Sequence, residues 1–189
     1  MEFDKLGASL LGLWSIITGE QLCLVKEIDL DTIKQVLHWC FSALNSSDTY
    51  IASQACSIID NMVSHVCTNN LLGKAQDTIS VRLRQTSDIC QELLAVIFDK
   101  LINEDVNNQW SMTRSLLPLV LLFPEYFQQI VQQCVAQQHQ HLQEAYGKSM
   151  LSIMEGINFS LEAKNRDRFT SNLTVARRQI SNICSITSN

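Results

Sequence analysis

Three places in this 189-residue sequence hold residue types that could do chemistry: His139 and His141, the His38-Trp39-Cys40 run, and a basic cluster near the end of the chain. The two histidines are two positions apart, so on a helix they point in different directions. Metal-binding helices use i, i+4 pairs such as H-E-x-x-H. The pair therefore reads as no metal site. Cys40 lies two residues from His38, but a nucleophilic cysteine needs a positioned base and usually a depressed pKa. The run reads as a core thiol beside a surface histidine. The chain has no G-x-S-x-G, no P-loop and no G-x-G-x-x-G. With no convergent polar constellation, the expectation is a protein that is not an enzyme and holds no cofactor or metal.

The basic cluster is Lys164, Arg166, Arg168, Arg177 and Arg178, opposed locally only by Asp167. Arg166 and Arg177 are eleven residues apart, about three helical turns, so they can share a face. Two readings fit. The five can form a protein-interaction site for an acidic partner or for another part of a larger protein. They can equally be a solvated helix face in which Asp167 pairs locally.

Seven cysteines, at 23, 40, 56, 67, 90, 134 and 184, form no C-x-x-C pair and are odd in number. Most sit in apolar helical patterns, which predicts buried free thiols in a reducing compartment. The formal charge is −5. It is unevenly spread: residues 1–99 carry six Lys/Arg against twelve Asp/Glu, and residues 100–189 carry eight against seven. So acidic a chain makes a poor general binder of nucleic acid. The stretch from Leu6 to Ile17 has neither a basic leader nor a small-residue cleavage site and reads as an amphipathic helix, not a secretory signal. Sequons at Asn45, Asn158 and Asn172 then carry no weight for glycosylation.

The elements that position these residues are helices. Only six Gly and two Pro occur, too few turn-formers for a sandwich or barrel. The first helix is expected from about Asp4 to Ile17, with Phe3, Leu6, Leu10, Leu13, Trp14 and Ile17 on one face. The second is capped by Asp29 or Asp31 and buries Ile33, Val36, Leu37, Cys40, Phe41 and Leu44. After the turn Asn45-Ser46-Ser47-Asp48, a third runs from Thr49 to Cys67. Residues 68–86 lack a clear period and read as a loop or weak helix. Ser87 or Asp88 caps a helix over 89–102. The run Leu116–Phe123 has no charged or hydrogen-bonding side chain, so it must be covered on several sides. It is far short of the roughly 20 residues that cross a bilayer, so no membrane insertion is expected. Pro118 predicts a kink near Arg114 or a restart at Ser115. Pro124 opens another helix. Helices are then expected over 142–161 and 166–183. Helix starts near 48, 88, 125 and 165 are 40, 37 and 40 apart, a spacing close to the roughly 40–47 residues of HEAT and armadillo helix pairs. The fold expected is all-α, a HEAT/armadillo-type stack of antiparallel helix pairs, with 1–189 as one domain.

Asn108-Gln-Trp-Ser-Met-Thr-Arg, the following Leu-Leu-Pro-Leu-Val-Leu-Leu through Tyr126-Phe127, Met154-Glu-Gly-Ile, Lys164-Asn-Arg-Asp-Arg-Phe-Thr and Asn172-Leu stand in an order and spacing of their own. They resemble the C-terminal part of exportin-7-type nuclear transport receptors, the Ran-binding protein 16/17 group of the importin-β superfamily. The resemblance is weaker from Leu10 to Val66. It implies a HEAT stack and a role in nuclear export. The implied partners are Ran in its GTP form, protein cargo and nucleoporins, with localisation in the nucleus, the cytoplasm and the nuclear pore. It also implies a piece of a longer superhelix, in which Ran is gripped mainly by N-terminal repeats. The outer side of the first helix, with Leu10, Leu11, Leu13 and Trp14, should then expose an apolar patch. The alternative is a free-standing helical scaffold that does not bind Ran.

Overall fold

The computed structural model describes residues 5–20, 28–73, 78–104 and 109–186. The described residues hold nine helices and no strand: α1 (Lys5–Glu20), α2 (Leu30–Leu44), α3 (Thr49–Leu71), α4 (Thr78–Arg84), α5 (Ser87–Asn103), α6 (Gln109–Leu122), α7 (Pro124–Ala136), α8 (Gln143–Ser152) and α9 (Ala163–Ile186). They fall into two compact units, Met1–Leu122 and Phe123–Asn189. None of them is long and apolar enough to cross a membrane.

In the first unit α3 is central, packed on α6, α1 and α2. Helix α2 begins where Asp29 accepts the Thr32 amide at 2.7 Å, and α3 where Asp48 Oδ1 accepts the Tyr50 amide at 2.8 Å. Each short carboxylate satisfies an amide that the first helical turn leaves free. The four-residue turn between α2 and α3 makes them antiparallel neighbours. Helices α5 and α6 pair in the same way, and α2 touches α5. The result is two layers, α1–α3–α6 and α2–α5, the pairing of a HEAT-type helical stack. Ile58, Ile59, Val63 and Val66 of α3 are fully buried, as are Leu93, Leu94, Ile97 and Leu101 of α5. Each such side chain contributes about 1.5–3 kcal/mol by leaving water.

Three expectations change here. On α1 the buried residues are Leu11 and Thr18, while Leu6 and Leu13 are 75% and 52% exposed. The helix meets α3 with a face turned about 100° from the middle of the expected stripe, and Leu10, Trp14 and Ile17 are half-buried, because apolar residues lie all around α1 and periodicity alone cannot say which side receives a neighbour. Of the four residues expected on the outer side, Leu13 is exposed, Leu10 and Trp14 are half-buried and Leu11 is buried; Leu6 and Ile16 are also exposed on α1, and Phe3 lies outside the described residues. On α5 the position before the helix is Thr86. It makes no side-chain cap; its hydroxyl donates to the Leu83 carbonyl at 2.9 Å. Neither Ser87 nor Asp88 is the cap. Helix α6 does not restart at Ser115 but runs from Gln109 through Pro118. Leu116, Leu117, Leu119 and Val120 are at most 1% exposed, and this packing offsets the roughly 3 kcal/mol that an internal proline costs. Within 68–86, α3 continues to Leu71 and the short α4 buries Ile79 and Leu83.

The second unit holds α7, α8 and α9, with α8 packed on both others. Pro124 takes the first position of α7, where its missing donor has no partner to lose. Helix α8 is half the expected length. It stops at Ser152 and residues 153–162 form turns, so 142–161 is not one helix. Gly156 sits at φ +66°, a left-handed conformation that costs a side-chain-bearing residue about 1–2 kcal/mol. Helix α9 starts at Ala163, earlier than expected, and buries Phe169, Leu173, Ala176 and Ile180.

Candidate functional site

The five basic residues do not share one face of α9. At 100° per residue, α9 sends Lys164, Arg168 and Arg178 to one side and Arg166 and Arg177 to the other. Lys164, Arg168 and Arg178 are exposed; Arg166 and Arg177 are half-buried. Arg166 and Arg168 have structural work. Arg166 Nε donates to the Leu161 carbonyl at 3.2 Å, and Arg168 Nη1 donates to the Gly156 carbonyl at 2.7 Å.

Those bonds belong to a larger strap. Asn165, 8% exposed, donates to the carbonyls of Asn158 and Ser160 at 2.8 and 2.6 Å and accepts the Asn158 amide at 3.1 Å. Asn172 donates to the carbonyls of Ile153 and Glu155 at 3.2 and 2.9 Å. Four side chains of α9 thus satisfy the backbone of the 153–162 connector, which has no helix or sheet to do so. The Met154-Glu-Gly-Ile, Lys164-to-Thr170 and Asn172 blocks touch one another here. They keep the connector folded on α9, a job that no spacing rule exposes because its partners are backbone carbonyls.

A second surface lies on the outward side of α3 and α6. Ser53, Ser57, Asp60 and Asn61, spaced by four, three and one residues along α3, line a small recess with Trp110, Ser111 and Arg114 of α6. Arg114 Nη2 is 3.3 Å from Asp60 Oδ2, and its guanidinium carbon stands 5.0 Å from the centre of the Trp110 ring. Ser64 donates to the other Asp60 oxygen at 2.8 Å. The paired, hydrogen-bonded carboxylate is compatible with its burial. Trp110 is 66% exposed. Exposed Trp and Arg held together are the residue types that anchor protein contacts. In the sequence, the signal for this surface is the Trp110–Arg114 spacing, i to i+4 on a helix.

Neither surface is equipped for covalent chemistry. Cys56, at the base of the recess, is 1% exposed, and burial pushes its thiol up to about 12. Cys90 is likewise pushed up to about 12 by burial, and burial raises Cys40 further. All three are neutral thiols near pH 7 and poor nucleophiles. Cys40, Cys56, Cys67, Cys90 and Cys134 are thiols outside any disulfide; Cys23 lies outside the described residues. His139 and His141 are exposed, their rings stacked 5.9 Å apart. Among the described residues no cluster of three or more His, Cys, Asp or Glu is placed to hold a metal.

No protein-family model and no solved structure matches the chain. Individual proteins do. Ran-binding protein 17 of Mus musculus is 28% identical over 192 residues, covering 95% of this chain and 18% of its own length. Exportin-7-B of Xenopus laevis is 30% identical over 189 residues, 95% of this chain and 17% of its own. Ran-binding protein 16 of Drosophila melanogaster is 23% identical over 197 residues, 97% of this chain and 18% of its own. The chain spans less than a fifth of the length of these curated relatives. Along nearly all of its own length, the chain is similar to exportin-7 and to Ran-binding proteins 16 and 17.

Proposed function

We propose that the chain is the C-terminal HEAT-type domain, residues 1–189, of a nuclear transport receptor. It acts by binding proteins and catalyses no reaction. The observation that carries this reading is the relation to exportin-7 and the Ran-binding proteins, which covers 95% of the chain and so includes both units. Ran in its GTP form and protein cargo are the partners, nucleoporins are further contacts, and the working place is the nuclear pore between nucleus and cytoplasm. The layered helix pairs of the first unit suit this role, because such pairs present long outward faces to other proteins. The neutral buried thiols supply no nucleophile.

A second reading is a helical scaffold that does not bind Ran. It is favoured by the share of the relatives that the chain spans, 17–18% of their length. A pull-down of this chain against Ran loaded with GTP or GDP, at near-physiological salt, separates the two. Retention of the GTP form alone supports a transport receptor segment with its own share of the Ran contact. Retention of neither form, by a chain that circular dichroism reports as folded, supports the scaffold.

A further inference from the structure

We propose that the outer face of α9 is a docking surface for an acidic helical segment of a partner protein. The proposal rests on the protein-binding reading above and assigns it a place. Helical spacing aligns Lys164, Arg168, Ser171, Val175 and Arg178, at i, i+4, i+7, i+11 and i+14, on the side opposite the buried Phe169, Leu173, Ala176 and Ile180. All five aligned residues are exposed, and Val175, 47% exposed, puts an apolar contact between the charges. The stripe from Lys164 to Arg178 is about 21 Å long at 1.5 Å per residue, the length of a partner helix of about four turns.

Charge selects the partner. Helix α9 carries five Lys/Arg and a single acid, Asp167, which lies at the edge of the stripe, in a chain of net charge −5. A positive stripe with one acid at its edge attracts a short acidic segment. Lys164 and Arg178 make no ion pair among the described residues. Arg168 is held by the Gly156 carbonyl through one N–H. Its guanidinium is thereby fixed in place, and a fixed fork loses less freedom on meeting a carboxylate.

The test titrates the full chain against a fluorescein-labelled helical peptide of glutamate, leucine and alanine, read by fluorescence anisotropy. The same peptide with lysine in place of glutamate is the comparison. Arg168 is left intact because it also holds the connector. The double variant Lys164→Glu, Arg178→Glu should weaken binding of the glutamate peptide about tenfold or more. Val175→Ser should weaken it about threefold, and Lys5→Glu on α1 should leave it unchanged. Affinity should fall as sodium chloride rises. The proposal is overturned if the folded double variant binds like the parent or if the lysine peptide binds equally well. It is also overturned if a single-stranded oligonucleotide binds the same face more tightly than the glutamate peptide. These outcomes are independent of the Ran pull-down, so α9 docking can fail while the transport reading stands, and the converse.

Discussion

The two units keep themselves folded by different means. The first is a layered aliphatic core: helices α1, α3 and α6 stack side by side, and α2 and α5 cover α3 and α6 with side chains at or near zero exposure. The second has a smaller buried set, centred on Phe127, Tyr146, Met150, Phe169 and Leu173. It adds a hydrogen-bonded strap, in which Asn165, Arg166, Arg168 and Asn172 satisfy the carbonyls of a ten-residue connector. Packing is tolerant of which apolar residue fills a site so long as volume is kept. A hydrogen-bonded strap is not, because each side chain must place a donor at a given carbonyl.

The first way to break this contrast is to cut into the layered core. Leu119, fully buried on α6, should cost about 2–5 kcal/mol as Leu119→Ala, the transfer loss plus a cavity that the close-packed layers cannot fill. Leu119→Met, which keeps volume, should cost less than about 1.5 kcal/mol. Urea midpoints followed by circular dichroism measure both. If the two variants lose equal stability, side-chain volume is not what the first unit depends on.

The strap should show the reverse sensitivity. Asn165→Ala removes two donors and one acceptor from a part-buried loop and should cost about 2 kcal/mol, in the range for leaving buried backbone groups unpaired. Asn165→Asp has nearly the same volume but donates nothing, so it should recover little of the loss. A fully stable Asp variant would mean that the strap acts through shape rather than through donors. Gly156→Ala comes next, at about 1–2 kcal/mol, because alanine resists a φ of +66°. In addition its Cβ would lie 2.8 Å from Arg168 Nη1. Urea melts of Gly156→Ala in the parent and in an Arg168→Ala background separate backbone strain from this collision. Relief in the second background would assign the cost to the guanidinium.

How legible the chain was follows from the same division. Ile33, Val36, Leu37, Cys40 and Leu44 on α2, and Ile51 to Val66 on α3, were readable because an amphipathic stripe with one wet face has a single way to be buried. Helix α1 misled because its leucines and isoleucines surround it, and the choice of buried side belongs to α3. The end of α8 misled because 142–161 has helical apolar spacing throughout. What stops the helix is Gly156 together with α9 side chains that lie five to nineteen residues on from the groups they bond. The basic cluster was visible as a composition bias. Its split into an inward pair that includes a connector bond and an outward stripe required knowing where α9 begins. Of the Trp110–Arg114–Asp60 recess only the i to i+4 pair on α6 could be read, since Asp60 lies fifty residues or more from that pair and its burial shows only once α3 and α6 pack.

The smallest effect separates the units by acid. At the start of α2 the Thr32 amide donates to Asp29 and holds that carboxyl below its ordinary value of 3.8. A carboxyl lowered in the folded state contributes stability that is fully present above its unfolded pKa. That contribution is lost as pH falls through the folded value. The strap has no such dependence, because Asn does not titrate and Arg stays charged throughout acid. Lowering the pH toward 3 and below should therefore loosen the first turn of α2 while the Asn158 amide keeps its bond to Asn165. In NMR spectra the Thr32 amide shift should follow a titration with a midpoint below 3.8, and the Asn158 amide should not follow it. Asp29→Asn, which caps a helix about as well, should abolish the Thr32 titration with little change at neutral pH. A Thr32 midpoint at or above the ordinary carboxyl value would remove the cap from the account. An Asn158 amide titrating in step with Thr32 would mean that the second unit also depends on a carboxylate.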